Sequence, residues 1–263
     1  MQFVDDWPIW TVWLTVAVSL WTAFEAGRFF RRRGFRKGAA GADTKDIGFL
    51  VPSAFGLLSL LIGFTFSLAL SRYEDRRDLI VAEAAQIRLA ALEVDLLPPP
   101  ERAAMAQALR AYLDSRIAFF EAGSAPADIR AAQATSDRQL EEMQRRLRAA
   151  ATADGFTPQA RAVADALDPM IAIGMKRETA AVERIPPRVL ELLFLFALLA
   201  MTILGHGTGA TPGRPWTPTL AFTVLVSAAL VLIVDLDRPR GGDIRVSQAP
   251  MLEVRAMLSP GGS

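Results

Sequence analysis

The sequence predicts an all-α integral membrane protein, with four transmembrane helices and an extramembrane antiparallel helical bundle between the second and the third. Three observations lead there. Hydrophobic residues make up 52% of the 263 positions and gather into blocks, where a soluble domain spreads about 45–50% apolar residues along the chain. Several blocks are free of charge over the length that spans a bilayer, about 20 residues for a ~30 Å core. The long segment between two of them repeats apolar residues at helical spacing, and no alternation of strand type competes with it.

The first span covers residues 8–24, is rich in Trp, Val and Leu, and carries no charge. It reads as a retained anchor, because Asp5 and Asp6 precede it where a cleavable signal would carry cations. Trp7, Trp10 and Trp13 near its start, and Trp216 at the start of the fourth span, sit where amphipathic rings favour the headgroup level. The second span, residues 47–71, is uncharged throughout, as is the fourth, residues 215–234. The third, residues 189–204, is interrupted only by Glu191 and has no polar face, which suits lipid or a bundle centre. Glu191 is expected at the interface or paired with an arginine, since a lone carboxylate in the core costs about 2.5–3.5 kcal/mol.

The predicted domains are residues 1–71 with the first two spans and a basic loop, 72–188 as the helical bundle, 189–235 with the last two spans, and 236–263 as a C-terminal tail. Within the bundle, Ile80, Ala84, Ile87, Ala91 and Val94 line one helix, and Pro98 to Pro100 end it. Pro100 and Glu101 start a second helix faced by Leu109, Leu113, Ile117 and Phe120, with Gly123 as its expected C-cap. Ile129, Ala132, Ser136, Leu140, Met143, Leu147 and Ala150 give a third stripe, ending at Asp154-Gly155. Thr157 before Pro158 is an N-cap with proline at the first helical position, and Val163, Leu167, Met170, Gly174, Ala181 and Ile185 mark the fourth helix. Four such helices with short connections suggest an antiparallel bundle whose first helix runs on from the second span. Its alanine-rich stripes bury little area per turn, so either packing against other subunits repairs that or the bundle helices approach one another closely through alanine.

Composition excludes much chemistry. No cysteine means no disulfide, thiolate nucleophile or Cys-ligated metal, and the single His206, between two glycines in an expected loop, cannot build a multi-histidine site. No catalytic or phosphate-binding spacing is present, so no enzyme activity, metal or cofactor is expected. Net charge is +1 but uneven: the first 24 residues hold no Lys or Arg, whereas the first loop holds Arg28, Arg31, Arg32, Arg33, Arg36, Lys37 and Lys45. The cation rule puts that loop in the cytoplasm and both termini outside a cell (inner) membrane crossed four times. Lying between two spans, the run reads as an anionic-lipid contact rather than a nucleic-acid surface.

The second span carries the candidate functional residues. Phe55, Ser59, Ile62 and Phe66 form a narrow stripe, beside a seam of small residues at Gly56, Ser59, Gly63 and Ser67. The seam fits close helix packing. The stripe either faces lipid or core or, repeated around a symmetry axis, forms a hydrophobic pore constriction. Arg72, Glu74, Arg76 and Arg77 follow, as interfacial anchors or as a cationic pore mouth that concentrates anions. Asp235, Asp237 and Arg238, with Arg240 and the turn at Pro239 and Gly241-Gly242, suggest a structural clasp after the fourth span.

The stretch SRYEDRRDLIVAEAAQI at 71–87, the Arg-Ile-Pro-Pro of 184–187 and the ending LDRPRGGDIRVSQAPM at 236–251 resemble a bacterial family catalogued as a bestrophin-like domain of unknown function. That family is distantly similar to bestrophin anion channels. The resemblance implies a helical homo-oligomer, a pentamer by analogy, in the lipid bilayer, whose second helix lines a pore for small anions with Ile62 and Phe66 at its neck. It implies no calcium gating, because no acidic cluster of the animal type is present. The competing expectation is a non-conducting membrane scaffold or sensor whose bundle binds a partner.

Overall fold

The computed structural model describes residues 7–35, 44–123, 125–149, 157–209, 216–239 and 241–259. Asp5, Asp6, Arg36, Lys37, Ala150, Asp154, Gly155, Pro215 and Arg240, used above, lie outside them, as does the side chain of Lys45. Eight helices follow in order among the described residues: α1 (Ile9–Phe35), α2 (Thr44–Asp95), α3 (Pro99–Glu121), α4 (Pro126–Ala149), α5 (Pro158–Val182), α6 (Pro187–Thr208), α7 (Trp216–Asp237) and α8 (Ala249–Met257). The fold is all-helical, and the helices carrying the four spans, α1, α2, α6 and α7, are long and apolar enough to cross a bilayer.

The chain divides into two compact units. One comprises residues 1–71, 184–238 and 242–244; the other comprises residues 72–183, 239–241 and 245–263. In the first unit α1 packs along α6 and against α7. The contact with α6 is set by two glycines. A Cβ on Gly27 would stand 2.0 Å from the Thr202 carbonyl oxygen, and one on Gly205 would stand 2.0 Å from that of Phe24. Only hydrogen at both positions lets the two backbones approach so closely.

That contact corrects one expectation. Residues 205–207 form the last turns of α6, not a loop, and His206 is half-buried. Its Nε2 lies 3.5 Å from Arg31 Nη1. Glycine on both sides suggested a break, but helix propensity is a weak preference that interhelical packing overrides. Arg28, one of the seven cations counted in the loop, is buried at 2% exposure, with its guanidinium 5.7 Å from the Phe24 ring.

The second unit is the bundle. Ile80, Ile87 and Val94 of α2 meet Leu109, Leu113 and Ile117 of α3, Met143 and Leu147 of α4, and Val163, Leu167 and Met170 of α5 in one apolar core. These residues of the expected stripes face it, and each large aliphatic side chain contributes about 1.5–3 kcal/mol by leaving water; Ile185, expected on the fourth helix, instead follows the end of α5 and belongs to the first unit. Thr157 caps α5 by accepting the Ala160 N–H at 3.2 Å. At the end of α3, by contrast, Ala122 is the cap residue, one position before Gly123. The C-terminal segment is more than a tail: α8 packs on α3, and Met251 and Val254 enter the bundle core.

Candidate functional site on the second spanning helix

α2 is a single helix of 52 residues. In its spanning part, Leu58, Thr65 and Ala69 are buried against the chain's own helices, while Gly56, Ser59, Gly63 and Ser67 are exposed. A Cβ built on Gly56 or Gly63 meets nothing within 4 Å. The small-residue seam therefore faces away from the chain's other helices. The larger members of the neighbouring stripe sit at the edge of the packed face: Phe55, Ile62 and Phe66 are half-buried, and the Phe55 ring stands edge-on to Phe222 of α7 at 4.8 Å. Of the four stripe residues, Ser59 alone lies fully on the open side.

The charges that follow sort by the same test. Arg76 is buried at 8% exposure and donates from Nε to the Arg72 carbonyl at 3.1 Å, and Arg72 lies 3.8 Å from Glu183. Glu74, Asp75, Arg77 and Asp78 remain exposed. The cations expected to form a mouth are thus half withdrawn, and carboxylates outnumber guanidinium groups among the exposed residues of this turn.

After the fourth span the carboxylates bind backbone. Asp235 accepts the N–H groups of Asp243 at 2.9 Å and Ile244 at 3.1 Å, and Asp237 accepts that of Ile185 at 2.8 Å. Arg238 donates to the Trp7 carbonyl at 3.1 Å. A Cβ on Gly242 would lie 2.6 Å from Asp235 Oδ1, so the turn is closed by a glycine that lets the carboxylate in. These bonds tie the start of α1, the Ile185 approach to α6 and the end of α7 together. Glu191 pairs with Arg188 at 3.0 Å on the exposed side.

A polar cluster within the bundle has no counterpart among the residues singled out from the sequence. Glu83 is fully buried; Oε1 accepts from Arg116 Nε at 2.7 Å and Oε2 from Arg177 Nη1 at 2.5 Å. Arg116 also pairs with Glu178 and donates to the Gly174 carbonyl at 3.0 Å. Arg177 reaches Gln248 at 2.5 Å and lies 3.5 Å from the centre of the Phe120 ring. Burial pulls the Arg177 guanidinium down to about 10 against the attraction of Glu83, and pushes the neighbouring Tyr112 hydroxyl up to about 12. Burial opposes the Arg116 cation too, but Glu83 chiefly holds that group above its ordinary value. The signal was present in the sequence: at 100° per residue Glu83, Arg116 and Arg177 each fall on the apolar face of their own helix. Three misplaced charges on three helices are best satisfied by one another.

Four helices long enough to span a bilayer make up one unit of the fold, and a helical bundle makes up most of the other. The family model of the Bestrophin-like domain matches residues 18–251. This chain belongs to the Bestrophin-like domain family. The bestrophin-like chain also superposes on the crystal structure of a bacterial bestrophin homologue from Klebsiella pneumoniae with a TM-score of 0.67, at 16% identity, over 95% of this chain and 97% of that one. A single-substitution variant of that homologue gives 0.67 at 15% identity over 95% and 97%. A membrane protein variant gives 0.67 at 16% identity over 97% and 98%. No curated protein matches this sequence. At such identities the structures establish a shared fold alone, and the membrane assignment rests on the four helices long and apolar enough to cross a bilayer.

Proposed function

We propose that this bestrophin-like chain is a subunit of a homo-oligomeric ion channel in which α2 lines the pore. One observation carries the reading. In its bundle part α2 exposes Val81, Leu89 and Leu92, and Leu96 follows one residue past its end on the same side, each between 44% and 63% accessible. These residues lie beyond the apolar span, where lipid tails do not cover them, and an exposed apolar row of that kind marks a protein contact. Further copies of the chain are the partner supplied by symmetry. Within the span, the open seam of Gly56, Ser59, Gly63 and Ser67 permits close approach between copies.

Around such an axis Ser59 faces the lumen, with Phe55, Ile62 and Phe66 at its edge, and the aromatic and aliphatic rings constrict the path and gate it by dewetting. The resemblance to bestrophin anion channels favours anions as the permeant ion. The exposed turn at Glu74, Asp75, Arg77 and Asp78 carries more negative than positive charge, and it raises the local concentration of cations instead. The test is ion flux into liposomes holding the purified oligomer under chloride and potassium gradients, for the parent and for Phe66→Ala. Flux that grows in Phe66→Ala supports a constriction on α2, and the gradient that drives it names the sign of the ion. Absence of flux from correctly inserted oligomers of both proteins refutes the channel and favours the scaffold, whose bundle would bind a partner.

A further inference from the structure

In its bundle part α2 separates charge on either side of an exposed apolar row. At about 100° per residue, Asp75 and Asp78 fall on one side of the row that contains Val81 and Leu92, and Arg77 and Arg88 fall on the other. Glu74 lies on the row itself. All four flanking charges are exposed, and none has a hydrogen bond or ion pair among the described residues. The acidic side opens into a groove of about 630 Å³ between α2 and α5. Leu79 and Ala82 of α2, with Met175 and Ala180 of α5, give it apolar walls. Asp75, Asp78 and Glu183 border it, with Lys176 as the cation among the lining residues, and Arg72 lies 3.8 Å from Glu183. The neighbouring face of α5 is bare as well, with Met175 at 64% and Val182 at 74% exposure. On the basic side of α2, Tyr73, Arg77 and Val81 are spaced by four and form one row, the kind that interlocks with a groove on a facing surface. That row is about 12 Å long, and the groove runs about 10 Å along α2 from Asp75 to Ala82.

We propose that copies of this chain associate head to tail, with the Tyr73, Arg77 and Val81 row of one copy seated in the α2–α5 groove of the next. The Arg77 guanidinium then stands against the next copy's Asp75 and Asp78. This inference rests on the reading of the protein as a homo-oligomer and names the surface that builds it. Rotation about an axis running along α2 keeps every residue at its own height, so a self-contact needs complementary surfaces at one level of the same helix. The row and the groove meet that requirement, since both lie within residues 73–82 of α2. The two sides of α2 carry opposite charge, so the contact is heterologous, and each copy gives one edge and receives another. A contact between two like edges would set Arg77 against Arg77, or Asp75 against Asp75, at a cost.

The protein has no cysteine, so introduced thiols can be joined without background. Arg77→Cys with Thr179→Cys, one change on the row and one in the groove, is made in the full-length protein. The detergent-solubilised oligomer is treated with a short bismaleimide and run on a denaturing gel. A ladder is expected that rises past the dimer and ends at the subunit number found by light scattering, with either single variant giving dimers at most. Dimers alone from the double variant would show an isologous contact, and monomers alone from an intact oligomer would place the contact elsewhere; either result overturns the proposal. Charge gives a second arm. Arg77→Glu is expected to weaken association about tenfold, and adding Asp75→Arg and Asp78→Arg is expected to recover most of the loss. No weakening, or no recovery, overturns the pairing. A ladder from a protein without ion flux keeps this contact and refutes the channel, whereas flux from an oligomer that gives no ladder does the reverse.

Discussion

Glu83 is the side chain whose removal the bundle should tolerate least. It is fully buried and shares its two oxygens between Arg116 and Arg177, so Glu83→Ala leaves two guanidinium groups facing each other in a low-dielectric interior. Breaking a buried pair from one side costs about 3–5 kcal/mol, and the melting temperature of the purified protein should fall accordingly. The triple change Glu83→Leu, Arg116→Met and Arg177→Met should recover most of the loss, because an apolar replacement removes the desolvation cost with the charges. If the triple variant melts no higher than Glu83→Ala, the cluster stabilises by more than charge balance. Tyr112 supplies a separate handle on pH. Its hydroxyl ionises at about 12 when folded and near 10 when unfolded, so between these values the unfolded chain holds fewer protons and folding stability falls as pH rises. Over that window this group alone removes about 2 kcal/mol, while Arg177, held at about 10 when folded, acts in the opposite direction, so the difference in stability between the parent and Tyr112→Phe, measured by denaturant titration, should shift by that amount between these pH values.

Helix pairs behave according to where their glycines point. Gly27 and Gly205 lie against carbonyl oxygens of the facing helix, and a methyl at either would force α1 and α6 apart. Gly205→Ala should therefore lower the yield of folded, detergent-extractable protein and its melting temperature. Gly56→Ala and Gly63→Ala meet open space within the subunit, and they should leave its fold intact while any effect appears in assembly or flux. A fluorescence-detected melting series of these variants separates the two cases, and equal damage from all of them would refute the distinction. The same elements show what a sequence exposes. Long charge-free runs named the spans, and stripes such as Ile80, Ala84 and Ile87 named the core faces, because burial imprints a period on a chain. Gly205 and Gly207 point to a loop in the sequence and lie in a helix in the fold, because a glycine that breaks a helix and one that admits a neighbouring helix look alike without the neighbour. The Glu83 cluster is hidden in the sequence because each of its charges is conspicuous only when three helices are compared at once.

For the whole molecule, the period of α2 reveals an open face but carries no record of what covers it, since a symmetry axis lies outside any one chain. The bundle part of that face offers the sharpest handle, because solvent rather than lipid would otherwise meet Leu92 and Leu96, at 57% and 63% exposure. Burial of a leucine against another copy is worth about 1.5–3 kcal/mol, and a carboxylate in its place would bring like charges together around the axis. Neither residue belongs to the buried core of its own subunit, so Leu92→Glu with Leu96→Glu should keep the helical content measured by circular dichroism. The double variant should instead shift the detergent-solubilised protein from oligomer toward monomer in light scattering coupled to gel filtration, and liposome flux should fall with the oligomer fraction. An unchanged mass would place the subunit contact elsewhere. A monomer that still conducts would sever the pore from the axis.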